Sequence, residues 1–101
     1  MTTTEGNELI KIFMKNNAIN SPHLTKTEDC LYHYSWAWLM DVVEKIEKGL
    51  SQFTPVCICS NGCRIDNLSG DTIMVEGGDK IFATWLAVVQ FIQWYNNQKQ
   101  Q

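Results

Sequence analysis

The residues of this chain with the most distinctive chemistry are four cysteines and two histidines. Three cysteines form a C-x-C-x₃-C motif, and the other thiol and both imidazoles lie upstream of it: Cys57, Cys59 and Cys63, then Cys30, His23 and His33. Thiolate sulfur and imidazole nitrogen are ligands that Zn²⁺ prefers. One hypothesis is therefore a protein that binds a metal or a small ligand through His23, Cys30 and His33.

The sequence around the motif argues against zinc. Asn61-Gly62 is typical of a two-residue type I′ hairpin turn, which would place Ser60 opposite Cys63. Because side chains alternate along a strand, Cys57 and Cys59 then point to one face of the hairpin and Cys63 to the other. Three thiolates on opposite faces cannot bind one ion. We expect reduced cysteines with no metal and no cofactor.

A cysteine-dependent enzyme is a further hypothesis, and it would need a thiol beside an imidazole. Cys30 and His33, in the segment CLYHY, are the only such local pair in the sequence. The sequence offers no recognisable third residue to orient the imidazole and no oxyanion site. We therefore predict that the protein is not an enzyme and has no catalytic residues.

Four aromatic residues follow one another at alternate positions: Tyr32, Tyr34, Trp36 and Trp38. Aromatic side chains bind single-stranded nucleic acid when basic residues lie between them, and none does here. The helical pattern places Trp36 in the core and Trp38 at its edge. Core packing is the first interpretation of this cluster, and the alternative hypothesis is a surface for a partner protein formed by Trp38, Tyr34 and His33.

The segment most strongly expected to organise the fold is 81–95, IFATWLAVVQFIQWY. Its apolar residues recur every three or four positions, as on a helix face, and only Gln90, Gln93 and Asn97 form a clear polar stripe. Such a helix must be covered on most of its circumference. The run is too short and too polar for a membrane span, so no membrane is expected as a partner.

The remaining elements follow from capping and turn residues. Thr4 is a candidate N-cap for a first helix, which should end near residues 16 and 17, and Ser35 is one for a second helix over 36–48. A polar loop, Ala18 to Asp29, joins them, and β-prone runs cover 54–60, 63–67 and 72–76. The predicted order is α-α-β-β-β-α. This is an α+β domain with a three-stranded antiparallel meander packed against helices.

Length and charge limit the function classes. With 101 residues the chain is expected to be a single domain, 1–101, frayed at 1–3 and 97–101. Its net charge is −3 and it has one arginine, Arg64, so nucleic acid is not favoured as a partner. The N-terminus has neither a basic segment nor an apolar stretch, so we expect a cytoplasmic protein.

Three segments carry a resemblance to a known family: NELIKIFM, LYHYSWAWLMDVVEKIE and VVQFIQWYNNQ. They resemble small proteins encoded by phages and prophages of gut bacteria, similar to the phage ABA-sandwich domain, a helix-sheet-helix fold of unknown activity. The resemblance covers most of the chain, and its motifs are residues that form the fold. It implies a non-enzymatic phage or prophage accessory protein in a bacterial host cell that binds a host or phage macromolecule, expected to be a protein.

We also predict a homodimer, because the second and third helices together carry more apolar surface than a small sheet can cover. The second helix contributes a long apolar series: Trp36, Trp38, Leu39, Met40, Val42 and Val43. Soluble monomers seldom expose large apolar patches, and a two-fold dimer is the commonest way to bury one. The competing hypothesis is that the first helix and the Ala18 to Asp29 loop cover this surface within one chain.

Overall fold

The computed structural model describes residues 2–15, 31–48, 54–66 and 72–99. The order of elements is α1 (Thr3–Lys15), α2 (Trp36–Lys48), β1 (Val56–Cys59), β2 (Gly62–Asp66), β3 (Thr72–Glu76) and α3 (Lys80–Lys99). The predicted α-α-β-β-β-α order and α+β class are confirmed. Several predicted features lie outside the described residues, namely His23, Cys30 and the Ala18 to Asp29 loop.

The sheet is an antiparallel meander with the strand order β1-β2-β3. The predicted register of the first hairpin is wrong, because Ile58 rather than Ser60 pairs with Cys63 and the turn residues are Ser60 and Asn61. Gly62 is the first residue of β2. It is required there by space, since a Cβ at this position would lie 2.7 Å from the backbone oxygen of Val75 on β3.

The error in register leaves the prediction of the two sheet faces correct. The turn lies one residue earlier than expected, so each residue keeps the face it was assigned. Cys57 and Cys59 are exposed on one face, and Cys63 is buried on the other beside Ile65. Burial raises the pKa of the Cys63 thiol to about 11, so this thiol remains protonated.

Helix α3 is the centre of the fold, as predicted. One side of α3 packs on the sheet and other sides pack on α1 and α2, while α1 makes no contact with the described strands. Burial therefore extends around most of the helix, and Gln90, Gln93 and Asn97 form the exposed stripe. The described helices do not reach the length and apolar character that a membrane span requires.

The first and last helices of the described residues lie close to the two ends of the chain. Helix α1 begins at Thr3, and its N-cap is Thr2 rather than Thr4. The Thr2 hydroxyl accepts a hydrogen bond from the Glu5 amide at 3.1 Å, and the Glu5 carboxylate accepts one from the Thr2 amide at 3.1 Å. This reciprocal capping box satisfies two amides at the helix N-terminus. At the other end α3 continues to Lys99.

Candidate functional site

The most unusual side-chain arrangement is a polar network buried between α1 and α3. Asn7 of α1 is only 2% exposed, and its Oδ1 accepts a hydrogen bond of 2.9 Å from Nε1 of Trp85. Its Nδ2 lies 2.9 Å from Nδ1 of His33. Asn7 thus links α1, α3 and the turn that precedes α2.

The donors in this network determine the tautomer of His33. An indole N–H can only donate, so the Asn7 oxygen must face Trp85 and the Asn7 amide nitrogen must face His33. The amide nitrogen then donates to Nδ1, which leaves the histidine proton on Nε2. Burial lowers the pKa of His33, which favours this neutral form.

The local sequence of α1 makes room for the network. Gly6 lies against the indole of Trp85, and a Cβ at Gly6 would lie 2.3 Å from one of the ring carbons. Glycine and asparagine are poor helix formers, so Gly6-Asn7 within an amphipathic helix is a visible departure from good helical sequence. Sequence reasoning missed both residues, although this departure could have identified them.

The network ends in an exposed aromatic ring on each side. The ring of Tyr34 lies edge-on to His33 with the centroids 4.5 Å apart, and Tyr34 is 60% exposed. At the opposite end Phe82 stacks on Trp85 with the centroids 6.1 Å apart, and Phe82 is 49% exposed. We call this series of five side chains, Phe82, Trp85, Asn7, His33 and Tyr34, the Phe82–Tyr34 strip.

Glycines at the start of α3 help to place Phe82. Gly77 and Gly78 have φ values of 93° and 74°, in the left-handed region that glycine favours. Asp79 then occupies the N-cap position, where its carbonyl accepts a hydrogen bond of 2.9 Å from the amide of Ala83. A Cβ on Gly78 would lie 3.4 Å from the Phe82 ring, so the ring is close to the backbone of this turn.

The three residues of the hypothetical partner surface do not all lie together. His33 and Tyr34 lie together in the strip, but Trp38 is partly buried and packs edge-to-face with the buried Tyr32, with the ring centroids 5.1 Å apart. The predicted core position of Trp36 is wrong, since this residue is exposed. Tyr32 lies in the turn before α2 and packs on the Trp38 side of the helix, which leaves the first residue of α2 at the edge of the core.

Of the three residues proposed to bind a metal or small ligand, His23, Cys30 and His33, the structure describes only His33. His23 and Cys30 lie outside the described residues, and Nδ1 of His33 is already hydrogen-bonded to Asn7. Within the described ranges no group of three or more histidine, cysteine, aspartate or glutamate side chains is arranged to hold a metal ion. His33 could therefore offer only Nε2 to a ligand.

Two open grooves lie elsewhere on the surface. The first has a volume of about 670 Å³ and is lined by polar residues of α1 and α3 together with one leucine: Thr4, Glu5, Glu8, Leu9, Gln93, Asn96 and Asn97. Its Glu5 carboxylate already belongs to the capping box, and hydrogen bonds from Thr2 lower the pKa of Glu5. Among the described residues, no histidine, cysteine or basic side chain lines this groove.

The second groove lies on the exposed sheet face and has a volume of about 370 Å³. Cys57, Cys59, Arg64 and Met74 line it. Nε of Arg64 donates to Oδ1 of Asp66 at 2.9 Å, and this bond raises the pKa of Arg64, with a smaller contribution from Cys57. Arg64 is therefore a fixed positive charge beside two exposed thiols.

Comparisons of the chain with protein-family models, curated proteins and solved structures found no match.

Proposed function

We propose that this chain is a non-enzymatic accessory protein of a phage or prophage that binds a host or phage protein through the Phe82–Tyr34 strip. The observation that carries the proposal is the pair of exposed rings held at the ends of a buried hydrogen-bonded network. The resemblance of its helical segments to small phage proteins supports the biological setting, the cytoplasm of a bacterial host.

Energetic considerations support binding at this strip. Aromatic residues dominate the binding energy of many protein interfaces, particularly where their conformation is fixed before binding. The hydrogen bonds from Trp85 to Asn7 and from Asn7 to His33 anchor the interior of the strip. Partner binding would then bury Tyr34 and Phe82 with little further loss of side-chain entropy.

The partner should present an apolar surface with hydrogen-bond acceptors for the Tyr34 hydroxyl. No lysine or arginine occurs in 31–39, so the turn and the start of α2 lack the basic residues that nucleic-acid phosphates require. Exposed Trp36 lies two residues beyond Tyr34 and extends the aromatic surface along the chain. These features favour a protein partner.

Affinity capture with matched variants tests the proposal. Tagged full-length protein is mixed with lysate of the bacterium that carries the gene, alongside the Y34A/F82A double variant and an I12A control. Ile12 is half exposed on α1 and does not belong to the strip. We expect a protein that wild type and I12A retain and the double variant loses. Equal capture by all three would contradict the proposal.

A further inference from the structure

The exposed face of the sheet carries sulfur atoms that packing does not explain. Cys57 and Cys59 are both exposed on β1, and Met74 is 53% exposed on β3. Free cysteines are among the most consistently buried residues in proteins. Here two of them line one groove with a thioether and a guanidinium.

Strand geometry keeps the two thiols on one face without joining them. Residues two apart in a strand point the same way, and at a rise of about 3.3 Å per residue their Cα atoms are about 6.6 Å apart. A disulfide needs Cβ atoms about 3.8 Å apart, whereas strand side chains stand roughly perpendicular to the sheet and do not converge. Cys57 and Cys59 are accordingly free thiols. Both thiols line the same groove, which makes them candidate ligands of a single ion.

The number and type of ligands select the ion. Zinc needs at least three protein ligands, and the described part of the chain brings no three suitable groups together. The third cysteine of the motif, Cys63, faces the core. Thiolate and thioether ligands favour Cu(I), whose filled d shell is stable with two thiolates. Three thiolates on opposite faces cannot bind one ion, but Cu(I) needs only two, and Cys57 and Cys59 share the exposed face.

Binding at the two thiols would place a negative charge among the charged groups of the groove. When the two thiols bind Cu⁺ they release two protons to solvent, and the resulting dithiolate complex carries one negative charge. Arg64 is the cross-strand partner of Cys57, so the Arg64–Asp66 ion pair lies beside the complex, and Glu76 lines the groove as well. Met74 is in turn the partner of Arg64 on β3 and provides a thioether across the groove.

We propose that Cys57 and Cys59 bind one Cu(I) ion on the exposed sheet face, next to the Arg64–Asp66 ion pair. This site is formed by the sheet alone. The Phe82–Tyr34 strip is built on α1, α3 and the turn before α2, so the two proposals can fail independently.

Anaerobic competition with a chromophoric Cu(I) chelator tests the site. Reduced full-length protein is titrated with Cu(I) supplied as the chelator complex. We expect wild type to withdraw one Cu(I) per chain with release of about two protons, as the stoichiometry of the two thiols requires. The C57S and C59S variants should each lose this binding, and R64Q should weaken it several-fold, because the Asp66 carboxylate then has no arginine partner near the anionic complex.

The other cysteines supply the controls. C30S and C63A should each withdraw one Cu(I) per chain, and far-UV circular dichroism verifies that every variant is folded. Failure of wild type to compete with the chelator would overturn the proposal, as would unchanged binding by a C57S/C59S double variant. Binding only in a species of two chains, seen by sedimentation, would also overturn it, because the ion would then lie between molecules.

Discussion

At the scale of single residues, Asn7 is the side chain on which the strip depends. It accepts from Trp85 and donates to His33, so its two amide atoms face partners of opposite hydrogen-bonding type. A buried amide satisfied in this way is specific in orientation, and breaking one bond would leave a buried polar group unpaired. The arrangement also makes the strip sensitive to the protonation of His33.

Stability should therefore fall as the pH is lowered through the titration of His33. Its pKa is lowered in the folded chain, so the unfolded chain binds more protons as the pH drops below about 6.5, the ordinary value for histidine. Protonation at Nδ1 would also place two donors, the ring N–H and the Asn7 amide, against each other. We expect the melting temperature to decrease between about pH 7 and pH 5.5, with the stabilisation fully present above that range.

The H33Q variant tests the source of this dependence, because glutamine keeps a neutral acceptor and does not titrate. Thermal melts of H33Q should show a smaller decrease over the same range, whereas H23Q should behave as wild type. The same pH dependence in H33Q would show that another group is responsible.

At the scale of secondary structure, residue patterns predicted the elements better than their boundaries. The bounds of α2 and β3 match the prediction because a clear apolar stripe or turn residues define each of them. The N-terminus of α1 was harder to predict, because Thr2, Thr3 and Thr4 are all threonines and each is a suitable N-cap residue. Thr2 differs from the other two because Glu5 follows it by three residues and completes a capping box.

The hairpin register shows why local turn chemistry is insufficient. Asn61-Gly62 is a strong turn signal, yet Gly62 pairs with both Cys59 and Glu76 as a strand residue. Its lack of a side chain is needed where β3 approaches, a tertiary constraint that no local pattern contains. Trp36 and Trp38 are a second example of a tertiary effect. Tyr32 of the preceding turn packs on Trp38, and Trp36 is left exposed.

Replacing Gly62 by alanine should destabilise the sheet. The added Cβ would lie 2.7 Å from the Val75 carbonyl oxygen, which belongs to the backbone and cannot rotate away. Overpacking of this kind costs about 1–3 kcal/mol. Urea unfolding of G62A should show a lower midpoint than wild type, while N61A, in the exposed turn, should change little. Equal midpoints for G62A and N61A would support the turn position of Gly62 that the sequence suggested.

At the scale of the whole molecule, the sheet packs on α3 and, through β1, on α2, while α1 packs on α3 and α2. This stacking covers most of the apolar surface from which the homodimer was predicted, including Val42 and Val43. The class and order of the fold were predictable because each element has its own periodicity. The polar network was not, since it joins residues 78 positions apart in the chain.

Self-association remains a prediction, now with a smaller surface. Trp36 on α2 and Phe82 on α3 are the large exposed apolar side chains left on those helices in the described residues. A contact of that size should be weak, so we expect a dimer that dissociates at micromolar concentration. Sedimentation equilibrium of wild type and W36A/F82A measures this. A single species of 11.6 kDa at every concentration of the wild type would contradict self-association.

The central claim, binding of a protein through the Phe82–Tyr34 strip, is tested most directly by calorimetric titration of the captured partner into purified protein. Truncating both exposed rings should raise the dissociation constant at least about tenfold, the effect expected when aromatic anchors are lost. I12A should stay within about twofold of wild type, since Ile12 is exposed on α1 outside the strip. A dissociation constant for Y34A/F82A equal to that of I12A would contradict the account.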